Sequence, residues 1–131
     1  MTGPVVAASL DDSDYAGKPH PTAVAGLYGG CDFTGEVWLD GSEKLPVLWL
    51  MGSADGEAPA TSCLNPVKRL KEKDKRSDWH LYEGATHCWD CQGLNGYTQV
   101  TPFGHKETYK YDERYTRDSE RRVLEFFQQF K

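Results

Sequence analysis

The chain has 131 residues and a net charge of −5, with 15 Lys and Arg against 20 Asp and Glu. Binding to phosphates depends on clustered basic residues, so this balance argues against a nucleic-acid partner. No apolar run approaches the roughly 20 residues that span a bilayer, which argues against a membrane-spanning protein. A composition of 38% hydrophobic and 27% charged residues is globular, and the length predicts one domain over residues 1–131.

The first half of the chain predicts a helix end and two strands. Val5–Leu10 is apolar and Ala-rich, as expected for the C-terminal part of a helix. The loop Gly17–Pro21 contains two prolines that disfavour helix, and Thr22–Tyr28 predicts the first strand. Gly29–Leu45 has little periodicity and is expected to be a connection. Leu45–Met51 is a continuous apolar run, typical of a strand buried on both faces of a parallel sheet.

The middle of the chain predicts a helix followed by a strand. Leu64, Val67 and Leu70 recur at three-residue spacing, which places them on one side of a helix. The basic run Lys68–Arg76 is interleaved with acidic residues and therefore indicates a solvated helix end and loop. Trp79–Tyr82 predicts the next strand, at the edge of the sheet.

The last third of the chain predicts an excursion and a closing helix. Cys88–Asp112 is rich in glycine and is expected to leave the sheet on its catalytic side. Thr116–Lys131 predicts an amphipathic helix, in which Val123, Phe127 and Phe130 form the apolar stripe that covers the sheet.

Two of the predicted strands end in a glycine-containing turn that leads to a residue suited to acid–base chemistry. Asp55 follows the turn at Gly52, and His87 follows the turn at Gly84. Carboxyl ends of parallel strands meet at one edge of a sheet, so the pattern places a carboxylate beside an imidazole. Asp followed by His is also the order of the last two members of the α/β-hydrolase triad.

These segments resemble the C-terminal portion of the dienelactone hydrolase family of α/β-hydrolases. The resemblance implies an α/β fold, namely the C-terminal half of an α/β-hydrolase, with a short and mostly parallel sheet flanked by helices. The matching segments are Ala23–Cys31, Pro46–Asp55, Pro59–Cys63, Tyr82–Asp90 and Arg121–Phe127.

The resemblance implies hydrolysis of esters or lactones by a Ser/Cys-Asp-His triad, with Asp55 orienting His87. The family's nucleophile turn, Gly-x-Ser/Cys-x-Gly, has no copy in the sequence, and the family spacing projects it to the region around or just before Met1. The isolated chain is therefore expected to be inactive. A small-molecule ester or lactone is the expected partner, without a cofactor. The nearby acids Glu57, Glu83 and Asp90 are expected to be solvated loop charges.

Four cysteines allow two disulfides and three pairings. The resemblance favours Cys31 with Cys63, because both match cysteines that recur in some relatives after strands expected to be adjacent. Two buried free thiols are the alternative. Disulfides would indicate a periplasmic or secreted protein, and free thiols a cytoplasmic one.

The Cys88-x-x-Cys91 motif has the spacing of redox motifs and of zinc sites. A zinc site would draw on His87, Cys88, Cys91 and His105, but a second closely spaced pair is missing, so no metal is expected. The alternative to a hydrolase is a non-catalytic interaction or redox module that keeps this motif. Self-association through the exposed edge of the half-sheet also remains open.

Overall fold

The structure, a computed structural model, describes residues 17, 21–33, 36–37, 39–101 and 104–130. Its centre is a three-stranded parallel sheet of β1 (Val24–Leu27), β4 (Val47–Gly52) and β5 (Asp78–Tyr82), in the order β1-β4-β5. The predicted α/β class and the short parallel sheet are confirmed, with β5 at one edge.

The remaining elements are two small hairpins and two α-helices. The two-residue strands β2 and β3 form one antiparallel pair, and β6 and β7 form another. Short 3₁₀ turns lie at residues 60–62 and 92–94. Neither described helix is long and apolar enough to cross a membrane. The bounds are β2 Asp32–Phe33, β3 Glu36–Val37, α1 Leu64–Lys73, β6 Thr98–Val100, β7 Lys106–Thr108 and α2 Glu113–Gln128.

The helices cover opposite faces of β4, and the alternation of its side chains explains its unbroken apolar sequence. Trp49 packs in one buried cluster with Val67 and Leu70 of α1. Leu50 points the other way, into a second cluster that contains Phe126 of α2. Because a strand directs successive side chains to opposite faces, a strand covered on both sides needs apolar residues at every position. Burial of each large side chain contributes about 1.5–3 kcal/mol.

Helix α2 differs from its prediction in start and orientation. It begins at Glu113 because the Asp112 carboxylate caps it by accepting hydrogen bonds from the N–H groups of residues 114 and 115. The predicted stripe is wrong in its central member, since Phe127 is 42% exposed whereas Phe126 is 3% exposed. Val123 and Phe130 do pack against the sheet, as expected.

Of two other interpretations from the first half of the chain, the structure describes only one. The connection Gly29–Leu45 contains the β2–β3 hairpin. The helix end predicted at Val5–Leu10 lies outside the described residues.

The indole of Trp49 fills space beside two glycines of the β1 segment. A Cβ added at Gly26 would overlap the ring, and one added at Gly29 would lie 2.7 Å from its Cζ2 atom. The Trp49 side chain therefore lies directly over the β1 backbone, and its ring nitrogen has no hydrogen-bond partner among the described residues.

A disulfide between Cys31 and Cys63 joins the segment after β1 to the start of α1. The two Cα atoms lie 5.2 Å apart, within the usual range for a disulfide, as expected from the resemblance. Both residues are buried, at 1% and 0% exposure. The bond thus lies within the apolar cluster on the α1 face.

Candidate functional site

The turns that follow β4 and β5 are bound to each other. The N–H of Ser53 donates to the carbonyl of Tyr82 at 3.0 Å, and the N–H of Ala54 donates to the carbonyl of Ala85 at 3.0 Å. The Ser53 hydroxyl also accepts a hydrogen bond from the N–H of Gly84 at 2.7 Å. These bonds extend the pairing of the two strands past the sheet, so residues beyond both turns are held side by side.

Glycines make this close approach possible. Gly84 has φ of 78° in a turn closed by the Ala85 N–H and the Tyr82 carbonyl, a conformation that glycine adopts at little cost. At Gly52 a Cβ would lie 2.8 Å from the Ala85 carbonyl carbon. The glycine preceding each candidate residue therefore has a geometric role in bringing the turns together.

Asp55 is held rigidly in the β4 turn. Its side chain is only 1% exposed. One carboxylate oxygen accepts hydrogen bonds from the N–H groups of Glu57 and Ala58, at 2.9 and 2.7 Å. The other lies 3.0 Å from Nδ1 of His87. The backbone bonds fix the carboxylate in place and leave its second oxygen for the imidazole.

His87 presents its two ring nitrogens to different surroundings. With Asp55 accepting from Nδ1–H, the neutral ring keeps a lone pair on Nε2. Nε2 lies 3.7 Å from the Glu57 carboxylate, too far for a hydrogen bond. The ring packs against Tyr28 with centroids 4.7 Å apart, and the side chain is 18% exposed. The His87 side chain therefore keeps partial contact with solvent.

The pKa of His87 lies above its ordinary value of 6.5. Burial alone lowers this pKa, but the hydrogen bond to Asp55 and the charges of Asp55, Glu57 and Glu107 outweigh it and favour the imidazolium. The site therefore stabilises the protonated ring that forms when a base takes a proton.

Glu57 has a defined place in this site, so its interpretation as a solvated loop charge is wrong. Its carboxylate accepts hydrogen bonds from the Tyr109 hydroxyl at 2.6 Å and from the Gln99 amide at 2.7 Å. Burial raises the pKa of Tyr109, and the hydrogen bond and charge of Glu57 raise it further. Tyr109 and Gln99 thus fix Glu57 near Nε2 of His87.

Glu107, on β7, is a further acid that the sequence did not indicate. One of its carboxylate oxygens accepts a hydrogen bond from the His87 N–H at 3.0 Å. The residue is 6% exposed, and its other carboxylate oxygen has no partner among the described residues. The only local signal is the inward position of Glu107 between two exposed residues of a three-residue strand, which is too short a pattern to interpret.

The C-x-x-C motif forms a disulfide directly after His87. Cys88 and Cys91 are bonded, with Cα atoms 5.3 Å apart. Within the described residues, the side chain that joins them as a possible metal ligand is Asp90, with all three ligand atoms within 4.8 Å of one another. His87 and His105 are not part of that group, so the four residues considered for zinc are not assembled.

The structure brings the Asp55 carboxylate and the His87 imidazole into contact, and their catalytic roles stay a prediction. The nucleophile remains unassigned, because Cys31, Cys63, Cys88 and Cys91 are all in disulfides and no free cysteine is present among them. Chemically, the pair can accept a proton at Nε2 and stabilise the resulting imidazolium.

Comparison with known proteins gave one result. Residues 13–131 match the model of the dienelactone hydrolase family. Neither the curated proteins nor the solved structures yielded a significant match.

Proposed function

Because the chain belongs to the dienelactone hydrolase family, we propose that it supplies the acid and base of a triad that hydrolyses ester or lactone bonds. The observation that supports this proposal most is the 3.0 Å contact between Asp55 and His87 across the ends of adjacent parallel strands. That arrangement follows the order and roles of the last two members of the α/β-hydrolase triad.

In the proposed mechanism, Nε2 of His87 takes the proton of a Ser or Cys nucleophile as it attacks the acyl carbon. Asp55 holds the ring and stabilises its protonated form. The imidazolium then gives its proton to the leaving alcohol, and the neutral ring activates water to release the acid. For a lactone, the leaving alcohol stays attached to the same product.

We place the nucleophile on a Gly-x-Ser/Cys-x-Gly turn that precedes residue 1 in the complete active site. Two observations support this placement: the sequence contains no such turn, and all four cysteines are bonded. Among the described residues, the ring of His87 forms its polar contacts with Asp55 and Glu57, so the Nε2 side is where a nucleophile would enter.

The test compares the 131-residue chain with a version extended upstream through a Gly-x-Ser-x-Gly elbow. We expect the extended protein to hydrolyse p-nitrophenyl acetate, and the short chain to remain near background. In the extended protein, His87→Ala should lower kcat by about 10³-fold or more, as loss of a triad base does.

His105→Ala is the matched control, because His105 is an exposed histidine of the same excursion. It should leave kcat unchanged. Equal activity of the extended protein and its His87→Ala variant would contradict the role of His87 as the base. Fast turnover by the short chain that disappears in His87→Ala would contradict the placement of the nucleophile before residue 1.

A further inference from the structure

The Cys88–Cys91 disulfide differs from the other disulfide in accessibility. Cys88 and Cys91 are both half-buried at the surface of the excursion, whereas Cys31 and Cys63 are 1% and 0% exposed. Thiol–disulfide exchange requires a thiolate to reach a sulfur atom from outside. The Cys88–Cys91 pair is therefore the more exposed of the two disulfides in the folded protein.

The two disulfides also close loops of very different size. Cys91 lies 3 positions after Cys88, and Cys63 lies 32 positions after Cys31. In the chain-entropy account, the stabilisation of the fold by a disulfide grows with the logarithm of loop length, so opening the short loop costs the fold about half as much stability as opening the long one.

The turn around the short disulfide is anchored independently of it. Trp89, between the two cysteines, is fully buried, and its indole N–H donates to Ser119 at 3.2 Å. The Trp89 carbonyl accepts a hydrogen bond from the Asp112 N–H at 2.9 Å. The Cys91 N–H donates to the Cys88 carbonyl at 3.0 Å. Opening the disulfide therefore leaves the turn attached to α2.

The charge beside the sulfur atoms is negative. An oxygen of the Asp90 carboxylate lies 3.6 Å from Sγ of Cys91. None of the ion pairs formed by the described residues involves Asp90. The thiolate group of an approaching thiol is repelled by the Asp90 carboxylate. A second negative charge on the small-molecule thiol adds to this repulsion, whereas a positive charge on it reduces the repulsion.

We propose that Cys88 and Cys91 form a thiol–disulfide exchange site that takes uncharged or positively charged thiols. A thiolate attacks one Sγ, forming a mixed disulfide, and the other Sγ leaves as a thiolate that takes a proton. A second thiol attacks the mixed disulfide and releases the oxidised small molecule. Two thiols are thus oxidised to a disulfide, and the protein disulfide is reduced to two thiols. This inference does not depend on the proposed hydrolase.

The experiment treats the folded, oxidised chain with graded dithiothreitol, then blocks new thiols with N-ethylmaleimide and locates the label by peptide mass spectrometry. We expect Cys88 and Cys91 to be labelled at dithiothreitol concentrations that leave Cys31 and Cys63 unlabelled, because exchange requires a thiolate to reach a sulfur atom. Circular dichroism at those concentrations should be unchanged. Labelling of both pairs together, labelling of the buried pair first, or labelling only after unfolding would overturn the proposal.

The preference for charge is tested with cysteamine, which is cationic, and 3-mercaptopropionate, which is anionic, as the reducing thiols. Each rate is divided by the rate of the same thiol on a neutral peptide disulfide. The normalised rate of cysteamine divided by that of 3-mercaptopropionate should be about five or more. Asp90→Asn should lower this ratio. Glu83→Gln, which removes an exposed charge from the preceding turn, is the matched control and should leave the ratio unchanged. A ratio near one in the unmodified chain, or one unaffected by Asp90→Asn, would refute the preference.

Discussion

Asp55 and His87 are 32 residues apart in sequence and are joined by a 3.0 Å contact between Oδ2 and Nδ1. The contact depends on two neighbouring parallel strands that end together, and on turns that are hydrogen-bonded to each other through Ser53. The sheet therefore brings the Asp55 carboxylate and the His87 imidazole together, and the Asp55 turn fixes the carboxylate that contacts the ring.

Asp55→Asn should lower the pKa of His87. The substitution removes the opposite charge that most favours the imidazolium, and such a charge typically raises the pKa by about one unit or more. The pKa is measured by long-range ¹H–¹⁵N NMR of the ring nitrogens. Glu83→Gln, which alters an exposed charge in the turn after β5, should leave the His87 pKa unchanged. An unchanged pKa in Asp55→Asn would show that the contact does not form in solution.

Stability should depend on pH through His87. Its folded-state pKa is raised above 6.5, so protonation contributes stability that is fully present below pH 6.5 and is lost as pH rises through the folded pKa. The urea midpoint of the wild type relative to His87→Gln should therefore be higher at about pH 6 than at about pH 9. A constant difference between the two proteins over this range would contradict the prediction.

The pH profile of the extended protein should reflect the same group. His87 acts as a base only when neutral, so kcat/KM should rise with pH through a pKa above 6.5. Glu57→Gln removes one of the charges that raise this pKa and should shift the rise to lower pH. Lys106→Gln, an exposed change on β7, serves as the control. A rise at the same pH in Glu57→Gln would mean that Glu57 does not act on the base.

Tyr109→Phe should destabilise the fold by about 1–2 kcal/mol. It removes a buried hydroxyl that donates to the Glu57 carboxylate, and hydrogen bonds to charged groups contribute about 1.5–3 kcal/mol. The Gln99 amide still donates to Glu57, which reduces the loss. Free energies of unfolding come from urea titration. Tyr97→Phe changes a residue that is 52% exposed and should have an effect below about 0.5 kcal/mol. Equal effects of the two variants would argue against the network.

Loss of the Cys31–Cys63 disulfide should cost about 3–4 kcal/mol, the value expected for a loop of this length. The double variant Cys31→Ala, Cys63→Ala is compared with the wild type by urea unfolding. Loss of the short disulfide in Cys88→Ser, Cys91→Ser should cost about half as much. A larger effect from the short disulfide than from the long one would contradict this ordering.

The sequence predicted the parts of the site that depend on local pattern. The apolar run ending at Gly52 and the turn at Gly84 are continuous signals, and together with chain order they identified Asp55 and His87. The parallel sheet followed from the same signals, because a strand apolar at every position must be covered on both faces.

The sequence did not reveal the contacts that depend on how the excursion folds back. Glu107 reaches the backbone of His87 only because the β6–β7 hairpin lies over the β5 turn. Glu57 is near His87 because Tyr109 and Gln99 bind it from the same excursion. The face of α2 was missed because Phe126 and Phe127 are adjacent and equally apolar. Contact with the sheet, and not periodicity, determines which one is buried.

The overlap that a side chain at Gly26 or Gly29 would make with Trp49 has a consequence for how this sequence can diverge. The three positions share one volume, so a larger residue at position 26 or 29 is tolerated only together with a smaller one at position 49. Libraries that vary these positions singly should return the present residues, whereas combinatorial libraries should yield compensated sets. Among related sequences, the three positions should therefore covary, with small residues at 26 and 29 accompanying the large ring at 49.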